Sequence, residues 1–150
     1  METAVALPVV ALAVFAVMGA WTDFRNRTIH NLLVLATLVV GLSIPAIAGD
    51  WNALLMHLAH FGVALLIGLG LFAAKFWGGG DGKFYAAIAA WFPIDQFFTL
   101  IFFISVIGLF LVLGFIARNG GKMAAKSVAG VPYGVAIGLG GLANLARTLL

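Results

Sequence analysis

Asp23-Phe-Arg-Asn-Arg-Thr-Ile-His-Asn31 and Gly78-Gly-Gly-Asp81-Gly-Lys83 are two short polar strings in an otherwise lipid-soluble chain. Where they fall divides the apolar sequence into spans, so their reading decides the fold. Each places one aspartate at the edge of a hydrophobic run. An ionisable group at a membrane boundary is costly to hold there, and is by default a functional-site hypothesis.

The 150 residues are 64% hydrophobic and 9% charged, with a mean hydropathy of +1.17. A soluble domain carries about 25% charged residues. Too little polar surface remains to coat a water-soluble globule, so an all-α integral membrane protein is expected, as one domain over residues 1–150. The net charge of +3 resides in short connections, which points to membrane orientation rather than nucleic acid. Absence of cysteine excludes disulfides, thiolate catalysis and cysteine-ligated zinc or iron–sulfur centres. The first apolar run follows Glu2 rather than a basic leader and precedes Arg25 and Arg27. That order reads as a retained span with its N-terminus outside.

About 20 apolar residues cross a hydrocarbon core. The expected spans are Thr3–Trp21, Asn31–Gly49, Asn52–Ala74, a short Phe84–Phe92, Gln96–Ala117 and Val131–Leu150. The first, third and fifth connections then hold Arg25, Arg27, Lys75, Lys83, Arg118, Lys122 and Lys126, leaving only Arg147 of the eight cations elsewhere. Six transmembrane helices with both termini outside satisfy the positive-inside rule. The fourth span reaches only about 14 Å. Its crossing is expected to draw Gly78–Gly82 below the headgroups as non-helical backbone, which needs protein or a water-filled cavity around it.

This topology brings Asp23 and Asp81 to one membrane depth on the cytoplasmic side. Two carboxylates within a few ångströms favour a shared proton, one group ionised and one neutral. The ionised group can take a proton from an attacking water, and the neutral one can donate to the oxyanion or leaving amine. Glycines around Asp81 leave room for a substrate backbone. The blander reading pairs Asp23 with Arg25 or Arg27, and Asp81 with Lys83.

Gly78-x-Gly80-Asp81 resembles the GxGD signature of intramembrane aspartyl proteases, and Gly78-Gly-Gly-Asp-Gly-Lys83 resembles the GGGDxK of type IV prepilin peptidases. Asp23-x-Arg25-x-Arg27-x-Ile29-x-Asn31 is similar to that family's other aspartate segment. Val131-Pro-Tyr-Gly-Val-Ala-Ile137 is similar to its Pro-aromatic-Gly opening of the last helix. The length and missing cysteines resemble the short form associated with Flp-type pili. The resemblance implies a GxGD-protease-like helical bundle in the bacterial inner membrane. It implies an aspartic endopeptidase that removes prepilin leaders at the cytoplasmic face without metal or cofactor. Asp23 and Asp81 would be the catalytic pair, with Gly78, Gly79, Gly80 and Lys83 shaping the loop beside Asp81. Arg25, Arg27 and Asn31 would support the Asp23 turn. His30 stands where the family often has proline, which alters the turn or tunes Asp23. Partners would be prepilin-like substrates and the lipid bilayer. A homo-oligomer is compatible with the sequence.

Other features read as architecture. His57 and His60 share a face of the third span and are expected to hydrogen-bond between helices; a metal would need Asp50 or Asp95 as well. Arg118, Lys122 and Lys126 serve orientation. Gly130, Gly134 and Gly138, and elsewhere Gly68, Gly70, Gly108 and Gly114, offer smooth surfaces for helix packing. Trp21, Trp51, Trp77 and Trp91 are expected in an interfacial belt. The rival functions are a small proton- or ion-coupled transporter or its accessory subunit, carrying charge on the same aspartates, and a non-enzymatic scaffold.

Overall fold

A computed structural model describes residues 2–118 and 131–149, and among them every regular element is helical. In chain order these are α1 (Glu2–Asn26), α2 (Asn31–Ile47), α3 (Trp51–Ala73) and α4 (Gly79–Ala89). A 3₁₀ turn (Ile94–Gln96), α5 (Phe97–Arg118) and α6 (Tyr133–Leu149) follow. Three segments are long and apolar enough to cross a membrane: Ala6–Asn26, Trp51–Ala73 and Ile94–Arg118. The helices α2 and α6 have 17 residues each, and α4 has 11. At 1.5 Å per residue, α4 is only about 16 Å long.

The bundle is built around α4. Every residue from Phe84 to Phe92 is buried, with α3, α2, α6 and α1 packed around it. Lipid is as apolar as leucine, so apolar burial alone does not draw helices together in a membrane; close backbone approach does. Gly68 of α3 meets Gly82 of α4 so tightly that a Cβ on Gly68 would lie 2.8 Å from the Gly82 Cα. A Cβ on Gly138 of α6 would lie 2.6 Å from the Ala16 carbonyl of α1. Gly19 of α1 makes room for the Phe84 ring.

Successive helices run in opposite directions. Gly68 of α3 lies at the start of α4, whereas His57 reaches Ala90 at its end. Lys83 reaches Asn31 and Trp91 reaches Thr37, so α2 runs with α4. Gly134 lies against Asp23 and Gly138 against Ala16, so α6 runs against α1. Gly108 of α5 is near Ala136, while Gly140 of α6 is near Ile104. The ends of α1, α3 and α5 therefore share one side with the starts of α2, α4 and α6.

The structure corrects several expectations. Gly78–Gly82 is not the non-helical stretch expected, because α4 begins at Gly79 and takes Asp81 into its first turn. Asp23 lies inside the last turn of α1 rather than beyond it. Trp91 is not interfacial: it is buried, and its Nε1–H donates to the Thr37 carbonyl at 2.9 Å. Gly70 and Gly114 face open space and pack against nothing. Gly130, Lys122 and Lys126 lie outside the described residues. His57 and His60 do hydrogen-bond between helices, through Nδ1 to the carbonyls of Ala90 (2.9 Å) and Phe92 (3.0 Å).

Candidate active site

Three chain segments converge at one end of α4. The first is the turn that closes α1. The Arg27 N–H donates to the Asp23 carbonyl at 2.9 Å, and Arg27 takes the left-handed conformation with φ 55°. This is a left-handed helix C-cap on a residue other than glycine. It reverses the chain so that Ile29 turns inward, 8% exposed, before α2 starts.

The second segment is the start of α4. Gly78 is the N-cap, and its N–H donates to Asp81 Oδ2 at 3.0 Å. Asp81 thus occupies the third helical position and reaches back to the cap, as the acid of a capping box does. Its charge also suits a helix N-terminus. A Cβ on Gly78 would come within 3.0 Å of that carboxylate, and one on Gly80 would touch Ile29. Gly79 meets only the Phe72 ring at ordinary contact distance.

The third segment is the start of α6, where the Gly134 N–H donates to Asp23 Oδ2 at 2.8 Å. Asp23 is 5% exposed. Both carboxylates line one cleft of about 190 Å³, together with Arg27, Thr28, Ile29, Gly78, Gly79 and Gly80. Asp81 stands ahead of the apolar run that starts at Phe84. Burial first, and then the Asp23 carboxylate, push its carboxyl up to about 6 from an ordinary 3.8. The N–H groups of Gly78 and Gly134 and the Arg27 cation pull the other way. The shift is that expected of a carboxyl in a half-dry cleft facing a second carboxylate. Two acids on one cleft of this size favour one ionised and one protonated carboxyl, with room for water beside them.

The remaining candidates stand further out. Lys83 Nζ donates to Asn31 Oδ1 at 3.3 Å, so these two tie α4 to α2 instead of neutralising Asp81. The Arg25 guanidinium lies 5.4 Å over the Trp21 ring. His30 is exposed, and its side chain caps nothing in α2. Among the described residues no cluster of metal-ligating side chains occurs.

Sequence reasoning gave Ile29, Thr28 and Tyr133 no role in the site and read Gly134 as a packing glycine. Ile29 floors the cleft, in contact distance of Gly80 and Gly134. Tyr133 packs against Trp77, ring centroids 5.9 Å apart, within electrostatic reach of the Asp81 carboxylate. The available signal was the Val131-Pro-Tyr-Gly134 string, which marked a helix opening without indicating what that opening faces.

No curated protein and no solved structure matches the chain. A model of the type IV leader peptidase family matches residues 10–113, more than half of the chain and both aspartates, although not α6. With two carboxylates facing one cleft at the mouth of an apolar helical bundle, the chain belongs to the type IV leader peptidase family.

Proposed function

We propose that this protein is a membrane-embedded aspartic endopeptidase that removes the leader from prepilin-like substrates of the type IV or Flp class. The observation that carries the reading is the single cleft lined by Asp23 and Asp81. Family membership supports a leader peptidase. A water held between the two carboxyl groups loses a proton to the ionised one as it attacks the scissile carbonyl. The neutral partner donates its proton to the developing oxyanion. The first carboxyl, now holding the proton from water, passes it to the leaving amine as the C–N bond breaks, and the partner recovers its proton from the gem-diol as the carbonyl re-forms. The pair titrates as a unit, so the two roles belong to the dyad rather than to either residue.

The alternating helix directions support a six-span topology with both termini outside. Arg25, Arg27, Lys75, Lys83 and Arg118 all lie at the end of the bundle that carries the cleft, which favours the cytoplasmic face of the bacterial inner membrane. There the cleft meets a substrate where its leader joins an apolar helix.

The test is co-expression with a candidate prepilin, followed by N-terminal sequencing of the shortened product. Asp23→Asn and Asp81→Asn should each abolish cleavage while the protein stays in the membrane. Near-native processing by either variant would overturn the two-carboxylate reading. Aspartate-dependent ion flux with an intact prepilin would point to a transporter instead.

A further inference from the structure

Gly134 lies outside both aspartate strings and outside the residues matched by the family. It nevertheless touches the cleft's chemistry in two ways. Its N–H belongs to the first turn of α6, where amides have no partner within the helix. That amide donates to Asp23 Oδ2 at 2.8 Å, joining residues 111 positions apart. Its missing side chain matters equally. A Cβ at this position would stand 2.8 Å from the Asp23 Cβ, 2.9 Å from Asp23 Oδ2 and 2.9 Å from the Ile29 Cδ1. Any larger residue would push the carboxylate or the cleft floor aside. Gly138, one turn further along α6, is different: its neighbour is the backbone of Ala16, remote from any acid.

We propose that Gly134 is the positioning residue of the carboxylate pair, its amide fixing the direction of Asp23 and its bare Cα leaving the space in which Asp23 faces Asp81. The inference rests on the peptidase reading for its catalytic consequence, but the geometry stands without it. The hydrogen bond of that N–H goes to Asp23, and its dipole also lies near enough to Asp81 to favour the ionised form there. The other groups facing Asp81 are Asp23 and Arg27 from the end of α1 and Tyr133 from α6.

The test replaces the Tyr133–Gly134 amide with an ester, by placing glycolate at position 134 of the full chain during cell-free synthesis into lipid nanodiscs. This removes the N–H and adds no side chain. The expected result is a kcat for prepilin cleavage lowered about tenfold to a hundredfold with KM unchanged, the scale of a lost hydrogen bond to a charged group. The summed carbon-13 titration of the Asp23 and Asp81 carboxyls should move to higher pH, because a donor favouring the ionised form of the pair is gone. Gly138→Ala serves as the comparison: it should lower thermal stability while leaving kcat per folded molecule and the titration of the pair unchanged. An ester protein whose carboxyl pair titrates as in the native chain would overturn the inference and make Gly134 an ordinary packing glycine. If the unmodified chain leaves prepilin uncut, the peptidase reading fails, and the titration of the pair alone still decides whether Gly134 governs it.

Discussion

The two ends of α4 are held in different ways. At its C-terminal end, side chains reach across to carbonyls: His57 to Ala90, His60 to Phe92, and Trp91 to Thr37 of α2. The following turn is tied to α6 by Asn144 Nδ2, which donates to Gln96 Oε1 at 2.9 Å. At its N-terminal end the acidic groups meet backbone amides, those of Gly78 and Gly134, and face an open cleft. Amides on a helix end cannot rotate away, and they donate without taking a charge of their own. Both ends are anchored, the N-terminal one by the Gly68–Gly82 contact and the Lys83–Asn31 hydrogen bond, but only there do acidic groups face a cleft in which a proton can be exchanged.

That difference can be broken in stages. The largest effect is expected from Asp23→Asn or Asp81→Asn. Leader cleavage should fall by about 10²–10⁴-fold, the usual contribution of a positioned proton donor or acceptor. Membrane abundance and thermal midpoint should stay native, as read by prepilin processing beside a thermal melt in detergent.

A substitution on the α3–α4 contact beside Asp81 should disturb both properties. Gly68→Ala drives a methyl into the Gly82 backbone, next to Asp81. It should cost about 1–3 kcal/mol of stability by overpacking and lower cleavage per folded molecule. A melt combined with activity normalised to folded protein separates the two losses.

At the far end, Trp91→Phe removes the hydrogen bond to Thr37 and should cost about 1 kcal/mol. Cleavage per folded molecule should be unchanged, and a loss of activity without a loss of stability would contradict the division of labour.

The smallest effect concerns pH. Asp81 binds its proton below about 6 in the folded protein, against an ordinary 3.8. A reaction that needs one neutral carboxyl therefore weakens as pH rises through that value. Arg27 favours the ionised form, so Arg27→Gly should move the alkaline limb of the cleavage profile to higher pH, by less than about one unit for an exposed charge. Glycine also relieves the left-handed backbone at this position, so stability should hold or rise slightly.

Much of the bundle was legible from hydropathy and charge, since helix boundaries fall within a few residues of the apolar runs. The departures cluster at the polar strings. Three successive glycines read as broken backbone, yet α4 starts among them: the Asp81 carboxylate accepts from the N–H of the N-cap Gly78, and Gly68 packs against Gly82. Those are tertiary reasons that composition does not display. Trp91 read as interfacial because it lies near a span end; its burial follows from α2, where Gly41 makes room for the ring and the Thr37 carbonyl accepts its N–H. That Asp23 and Asp81 would share one end of the bundle was legible from the alternation of spans; that they line one cleft was not. Nor was the role of Gly134, because a backbone amide leaves no signature in the side chains.

The confinement of α4 has a consequence for how lipids act on the protein. Val14, Val17, Met18 and Trp21 of α1 are exposed on the outside of the bundle, whereas Phe84 to Phe92 are sealed from it. Bilayer thickness therefore acts directly on the helix that carries Asp23 and reaches the one that carries Asp81 only through its neighbours. Vesicles of short- and long-chain phosphatidylcholine should consequently differ in how well they align the two acids, making hydrocarbon depth an adjustable control on turnover.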